Sequence, residues 1–165
     1  MDNKLLRELY NKHYRDLYLY LYSMCRNREI AEDLVQETFL KAILSLSESH
    51  CNFQAWLYMV ARNLYFNFAK KEKSKLNLDD ISTTPSREAP LIESIVDNEE
   101  HKLCFEALQN LSGAKKEVLI LQYFGGFSQK EIASILRITP ENVRVLSYRA
   151  KKELRKIMEA KGYDI

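Results

Sequence analysis

Apolar residues at Leu6, Tyr10, Tyr14, Leu17, Leu21 and Met24 recur at spacings of four, four, three, four and three. That rhythm draws one apolar stripe along an α-helix. Asn27 then offers an N-cap, and Ile30, Leu34, Val35, Thr38 and Ala42 continue the period. A polar break over Ser45 to Asn52 precedes a third helix from about Phe53, with Leu57, Val60, Ala61, Leu64 and Phe68 on one face. The pattern predicts a helical domain over residues 1–75.

The rhythm stops after Lys75. Asp79-Asp80, the run Ser82 to Ser86 and a second proline at Pro90 interrupt every period, so residues 76–100 read as a linker, extended in part. Helical spacing resumes from Glu99 through Leu103, Ala107, Leu108 and Leu111. Ser112 can cap a further helix carrying Val118, Leu119, Leu121 and Gln122, which Gly125-Gly126 stops. Ser128-Gln-Lys-Glu131 has the form of a capping box, and Ile132, Ala133, Ile135 and Leu136 follow as a short apolar face. After Arg137-Ile138, Thr139 offers another N-cap, and Pro140 takes the first helical position, where a missing N–H costs nothing. Two helices with a tight turn between them, the second longer and basic, predict a helix-turn-helix within a domain over 101–165. The expected fold is all-α: two small helical domains joined by a flexible linker, the C-terminal one holding the helix-turn-helix.

Composition narrows the class. The 165 residues are 46% hydrophobic and 29% charged, and no run approaches the roughly 20 apolar residues that span a bilayer. The N-terminus lacks the zones of a secretory signal, so the reading is cytoplasmic, with no membrane insertion. Cys25, Cys51 and Cys104 are odd in number and widely spaced, which fits reduced thiols better than a disulfide framework. His50-Cys51 and His101-x-x-Cys104 lack the C-x-x-C spacing of strong zinc sites, so neither metal nor cofactor is expected.

A net charge of +2 hides a pattern, because residues 1–75 carry +3, residues 76–100 carry −6 and residues 101–165 carry +5. Two basic bodies flank an acidic connector. In the second, Val143, Leu146 and Ala150 should face the preceding helix, leaving Asn142, Arg144, Val145, Tyr148 and Arg149 near the exposed face. Arginine can pair bidentately with guanine and asparagine with adenine, which suits direct readout in a major groove. A solvated basic helix is the competing reading, and the double capping signal with its short turn favours DNA. Lys151, Lys152, Arg155 and Lys156 would touch phosphate or solvent. Ser128, Gln129 and Lys130 begin a helix whose amides favour a phosphate, although capping alone would also explain them.

The first domain interleaves aromatics with amides from Phe53 to Ala69 and runs into the cluster Lys70-Lys71-Glu72-Lys73-Ser74-Lys75. Aromatic faces stack bases, amides bond base edges and lysines neutralise phosphate, a mixture suited to opened DNA. The candidates are Arg62, Asn63, Phe66, Asn67, Lys70, Lys71 and Lys73. Core packing is the alternative for Trp56, Leu57, Phe66 and Phe68, and for most of these taken singly it is the better one. It does not account for the lysines.

Together these segments resemble the extracytoplasmic-function sigma factors of bacterial RNA polymerase, over nearly the whole chain. Ala31-Glu-Asp-Leu-Val-Gln-Glu-Thr-Phe-Leu-Lys-Ala42 is similar to the region two segment that docks on the clamp helices of the polymerase's largest subunit. The resemblance implies polymerase contacts at Asp33, Gln36, Glu37 and Phe39. Phe53 to Asn63 resembles the segment ahead of the part that opens and reads the minus-ten element. Glu131-Ile-Ala133 and Arg149-Ala150 to Leu154 follow region four, which implies minus-thirty-five reading by Arg144, Val145, Tyr148 and Arg149. Val145 stands where many relatives have serine, so it can meet a thymine methyl but cannot donate a hydrogen bond. Ser147 stands where they have leucine, which implies a different packing of the recognition helix. Asn67 and Lys70-Lys71 replace a frequent aspartate and arginine pair.

By resemblance, the partners are core polymerase, promoter DNA and an anti-sigma factor, and the acidic linker threads toward the polymerase active-site channel. The free chain is expected to be a monomer. A stand-alone helix-turn-helix regulator shares the C-terminal features but gives no reason for the Asp33-Gln36-Glu37 segment. An enzyme is not expected: the chain shows no phosphate-cradling glycine loop, metal-ligand pair at motif spacing, or nucleophile with its base.

Overall fold

The computed structural model describes residues 3–45, 52–79, 99–111 and 113–163. Seven helices and no strand occur among them: α1 (Asn3–Cys25), α2 (Arg28–Leu44), α3 (Phe53–Asp79), α4 (Glu99–Leu108), α5 (Gly113–Tyr123), α6 (Gln129–Leu136) and α7 (Pro140–Ala160). The chain divides into two compact units, the first holding α1 to α3 and the second α4 to α7. The expected cap at Ser112 and most of the acidic connector lie outside the described residues.

In the first unit, α1 packs against both α2 and α3. Five consecutive residues, Leu17 to Leu21, are each at most 1% exposed. At 100° per residue they go all the way round the helix, so burial is wider than the single stripe read from the spacing. Along the stripe, Tyr10, Tyr14, Tyr18 and Tyr22 form a ladder of rings 5.1, 6.1 and 5.9 Å apart. The expected cap is present: the Asn27 side chain accepts from the Ile30 N–H at 3.1 Å. A second cap went unread in the sequence, where the Asn52 Oδ1 accepts from the Ala55 N–H at 3.0 Å and starts α3. Helix α3 continues to Asp79, four residues beyond the expected boundary. Leu76, Asn77 and Leu78 carry no helix breaker, and the first proline waits until Pro85.

The second unit closes around Phe105, Leu108, Val118 to Leu121, Phe127, Ile132 and Ile135, all buried. Phe105 and Phe124 meet edge to face at 5.6 Å. Gly125-Gly126 does follow the end of α5, and each position requires glycine for its own reason. A Cβ on Gly125 would lie 2.8 Å from the Leu121 carbonyl oxygen, and Gly126 sits at φ 69°.

The capping box before α6 is complete, with the Glu131 N–H donating to Ser128 Oγ at 3.2 Å and the Ser128 N–H to Glu131 Oε1 at 2.9 Å. Arg137 ends α6 in the left-handed region at φ 57°, which turns the chain sharply. Thr139 Oγ1 then accepts from the Asn142 N–H at 3.2 Å, with Pro140 next, so α7 starts where its caps dictate.

Candidate nucleic-acid interface

Helix α7 packs on α5 and α6 through Val143, Ser147 and Ala150, all buried. Leu146, expected in this seam, is only half-buried, and Ser147 takes a deeper place than its hydroxyl suggested. The hydroxyl donates to Gln122 Oε1 at 3.0 Å. That bond satisfies a buried polar group, which explains how serine fits here. Asn142, Arg144, Val145, Tyr148 and Arg149 are exposed, as the helical period requires. Arg144, Val145, Tyr148, Arg149 and Lys152 line one shallow depression, and Tyr148, Lys151, Lys152 and Arg155 line another. Ser128, Gln129 and Lys130 are exposed at the start of α6.

Tyr123 went unnoticed in the sequence. It is 58% exposed, and the Lys151 ammonium lies 5.7 Å over its ring. Lys151 sits three residues past Tyr148, so the aromatic and cationic surface of α7 continues onto the end of α5. A lone tyrosine before a glycine turn carries no signal of exposure.

The first unit presents two faces. Asn63, Phe66, Asn67, Lys70 and Lys71 are all exposed on α3 at spacings of three, one, three and one, which places them on one stripe. Lys73 is exposed beside it. Phe66, a candidate for opened DNA that core packing could also have claimed, is 45% exposed, and the Arg62 guanidinium lies 4.6 Å over its ring. Leu57 is buried, as the core reading required, while Trp56 and Phe68 are half-buried. Tyr65 is fixed on the opposite flank, its hydroxyl donating to the Met24 carbonyl at 3.1 Å.

On α2, Asp33, Gln36 and Glu37 are exposed together. Phe39, placed among the polymerase contacts by resemblance, turns inward instead. It is 7% exposed and packs 4.8 Å from the Tyr10 ring, closing the α1–α2 core. Leu40 occupies the outer stripe in its place at 56% exposure. Its position three after Glu37 and seven after Asp33 was a usable signal. Asp33, Glu37, Lys41, Asn67 and Lys71 line one cleft of about 340 Å³ between α2 and α3, with Ile30, Leu34, Leu64 and Phe68 at its base. Asp33 and Glu37 of the candidate docking residues thus share a cleft with Asn67 and Lys71 of the candidate opened-DNA residues.

Burial pushes the Cys25 and Cys104 thiols up from their ordinary values, which disfavours reactive thiolates. Among the described residues no cluster of three metal-ligating side chains occurs, and no helix is long and apolar enough to cross a membrane.

Fold and exposed faces together define an all-helical DNA-reading protein built on a helix-turn-helix. Residues 9–75 match the family model Sigma-70 region 2, and residues 105–154 match Sigma-70, region 4. The chain belongs to the sigma-70 family, as an RNA polymerase sigma factor of the extracytoplasmic-function type that directs promoter-specific initiation of transcription. It is similar to the sigma factor YlaC of Bacillus subtilis, 30% identical over 162 residues, which cover 93% of this chain and 91% of that protein. The extracytoplasmic-function sigma factor SigM of the same organism is 28% identical over 154 residues, covering 90% and 91%. The fold is shared with the sigma factor RpoE in its complex with the anti-sigma factor NepR from Bartonella quintana, at TM-score 0.75 and 22% identity, covering 94% of this chain and 98% of that one. Sigma factors as a class are regulatory subunits rather than enzymes.

Proposed function

We propose that this sigma factor reads its promoters in two pieces, each by one unit, while core polymerase holds both. The second unit, 101–165, reads the minus-thirty-five element through Asn142, Arg144, Val145, Tyr148 and Arg149, with Ser128, Gln129 and Lys130 on phosphate. The observation that carries this is the exposed N-terminal half of α7, started by the Thr139 cap and Pro140, because a recognition helix presents that end to base edges.

The first unit, 1–75, docks on the clamp helices of the polymerase's largest subunit through Asp33, Gln36 and Glu37, with Leu40 in the place first given to Phe39. It opens and reads the minus-ten element through Arg62, Asn63, Phe66, Asn67, Lys70, Lys71 and Lys73. An exposed stripe of amides, an aromatic ring and lysines suits unstacked bases. The acidic connector, 76–100, ties two weak contacts into one tight one by raising the effective concentration of the second.

The chain itself catalyses nothing and works in the cytoplasm, as a monomer when free. An anti-sigma factor holds it in reserve; RpoE with NepR is the precedent. The test is transcription in vitro by purified bacterial core polymerase over a library of promoter fragments, with and without this chain. Transcripts starting downstream of a shared two-part motif are expected. Failure to bind core, together with tight promoter binding by the free chain, would instead indicate a stand-alone regulator.

A further inference from the structure

The fully buried residues of helix α7 are small, Val143, Ser147 and Ala150, with Leu146, Leu154 and Ile157 half-buried around them. Small residues permit close approach but raise only shallow ridges, so they fix the distance between helices better than the roll of one about its axis. Roll is what base reading depends on. Val145 and Arg149 lie about 160° to either side of Ser147, at 100° per residue, so the seam and the reading face are opposite sides of one cylinder. A roll of about 15° would move a side-chain tip about 6 Å from the axis by about 1.5 Å, enough to break a base hydrogen bond.

Side-chain hydrogen bonds join α7 to α5, beside the Lys151 contact with the Tyr123 ring. Ser147 Oγ donates to Gln122 Oε1 at 3.0 Å, with Ser147 only 5% exposed. Six residues on, the Lys115 ammonium donates to Glu153 Oε2 at 2.7 Å on the half-exposed flank. The second contact joins two long, solvated side chains and tolerates movement. The first starts from a buried serine with a single side-chain torsion to the hydroxyl, and it lies beside the residues that meet bases.

We propose that Ser147 and Gln122 are positioning residues for promoter recognition: their hydrogen bond sets the roll of α7 and thereby the base preference at the minus-thirty-five element. The proposal rests on reading α7 as the recognition helix. Neither side chain touches DNA in this account. They act through Val145, Tyr148 and Arg149, whose directions they fix.

The test uses holoenzyme assembled with Ser147→Ala, Gln122→Met and the double variant. Each is measured for binding to a promoter set containing every single-base change in the minus-thirty-five element. Ser147→Ala is expected to compress discrimination between the preferred sequence and its variants by about five- to tenfold, the lower end of what one base contact supplies. Gln122→Met keeps the side-chain length at a half-buried position, so folding is retained, and it should shift the ranking of bases in the same way. The double variant should add nothing further, because the bond is already lost. Uniform weakening on all sequences with an unchanged ranking would overturn the proposal and leave the pair a packing role. Independent, additive shifts would overturn it too. Arg144→Ala in the same assay is the control: if that variant leaves the ranking intact, the reading of α7 fails, whatever Ser147 does.

Discussion

Helices α3 and α7 are both long, both basic on one face and both proposed to meet nucleic acid, yet they are held in different ways. The candidate base contacts of α7 begin at Asn142, within the first turn, where Thr139 and Pro140 fix the helix start. Those of α3 begin at Arg62, ten residues after the Asn52 cap, and follow a helix already buried by Leu57, Ala61 and Leu64. A helix end can enter a major groove, whereas a stripe along a helix flank offers a surface over which separated bases can lie. In the proposed reading, one chain thus supplies an end-on reader for duplex and a side-on platform for opened DNA.

The two readers should give the largest effects, of similar size. Arg144→Ala in the holoenzyme should weaken promoter binding by about 1–3 kcal/mol and relax sequence preference at one position, read by competition binding at fixed salt. Phe66→Ala should cost about 1–3 kcal/mol on a promoter with a pre-opened minus-ten region if its ring stacks a base. Equal loss on intact duplex held closed would break the contrast between the two helices. Asp33→Ala or Glu37→Ala should weaken assembly with core polymerase while the unfolding midpoint of the free chain stays put. Normal holoenzyme affinity in either variant would remove that residue from the docking face.

These sites were unequally legible in the sequence. Caps could be read because they are chemical and local: Ser128 with Glu131, Thr139 with Pro140, and Asn27 each satisfy amides a few residues away. The outward residues of α7 followed from its period once the start was fixed. Phe39 and Phe66 show the limit. Each is a phenylalanine within an amphipathic helix, and although its spacing from polar neighbours gives its side, residue type and resemblance alone do not. Tyr10 packs on the first and Arg62 lies over the second. Ser147 was legible as a departure from relatives, but its partner, Gln122, lies 25 residues away on another helix.

Two smaller effects sharpen the comparison through stability. Arg137 holds a left-handed conformation that costs a non-glycine residue about 1 kcal/mol. Arg137→Gly should therefore raise the stability of the second unit by up to about 1 kcal/mol, offset in part by a looser unfolded chain, as read in urea unfolding. His13 is buried in the first unit beside Phe53, and burial followed by the Lys12 charge lowers its pKa from 6.5. Below about pH 6.5 the unfolded chain takes up a proton that the folded unit resists, so stability should fall as pH drops from there toward the lowered folded value. Replacing His13 with glutamine should flatten that slope in the first unit alone.

The division of labour between the helices is tested most directly by transcription from a randomised promoter library with holoenzymes carrying Arg144→Ala or Asn67→Ala. The account predicts that Arg144→Ala relaxes only the upstream half of the selected motif and Asn67→Ala only the downstream half. Either substitution changing both halves, or neither changing its own, would contradict it.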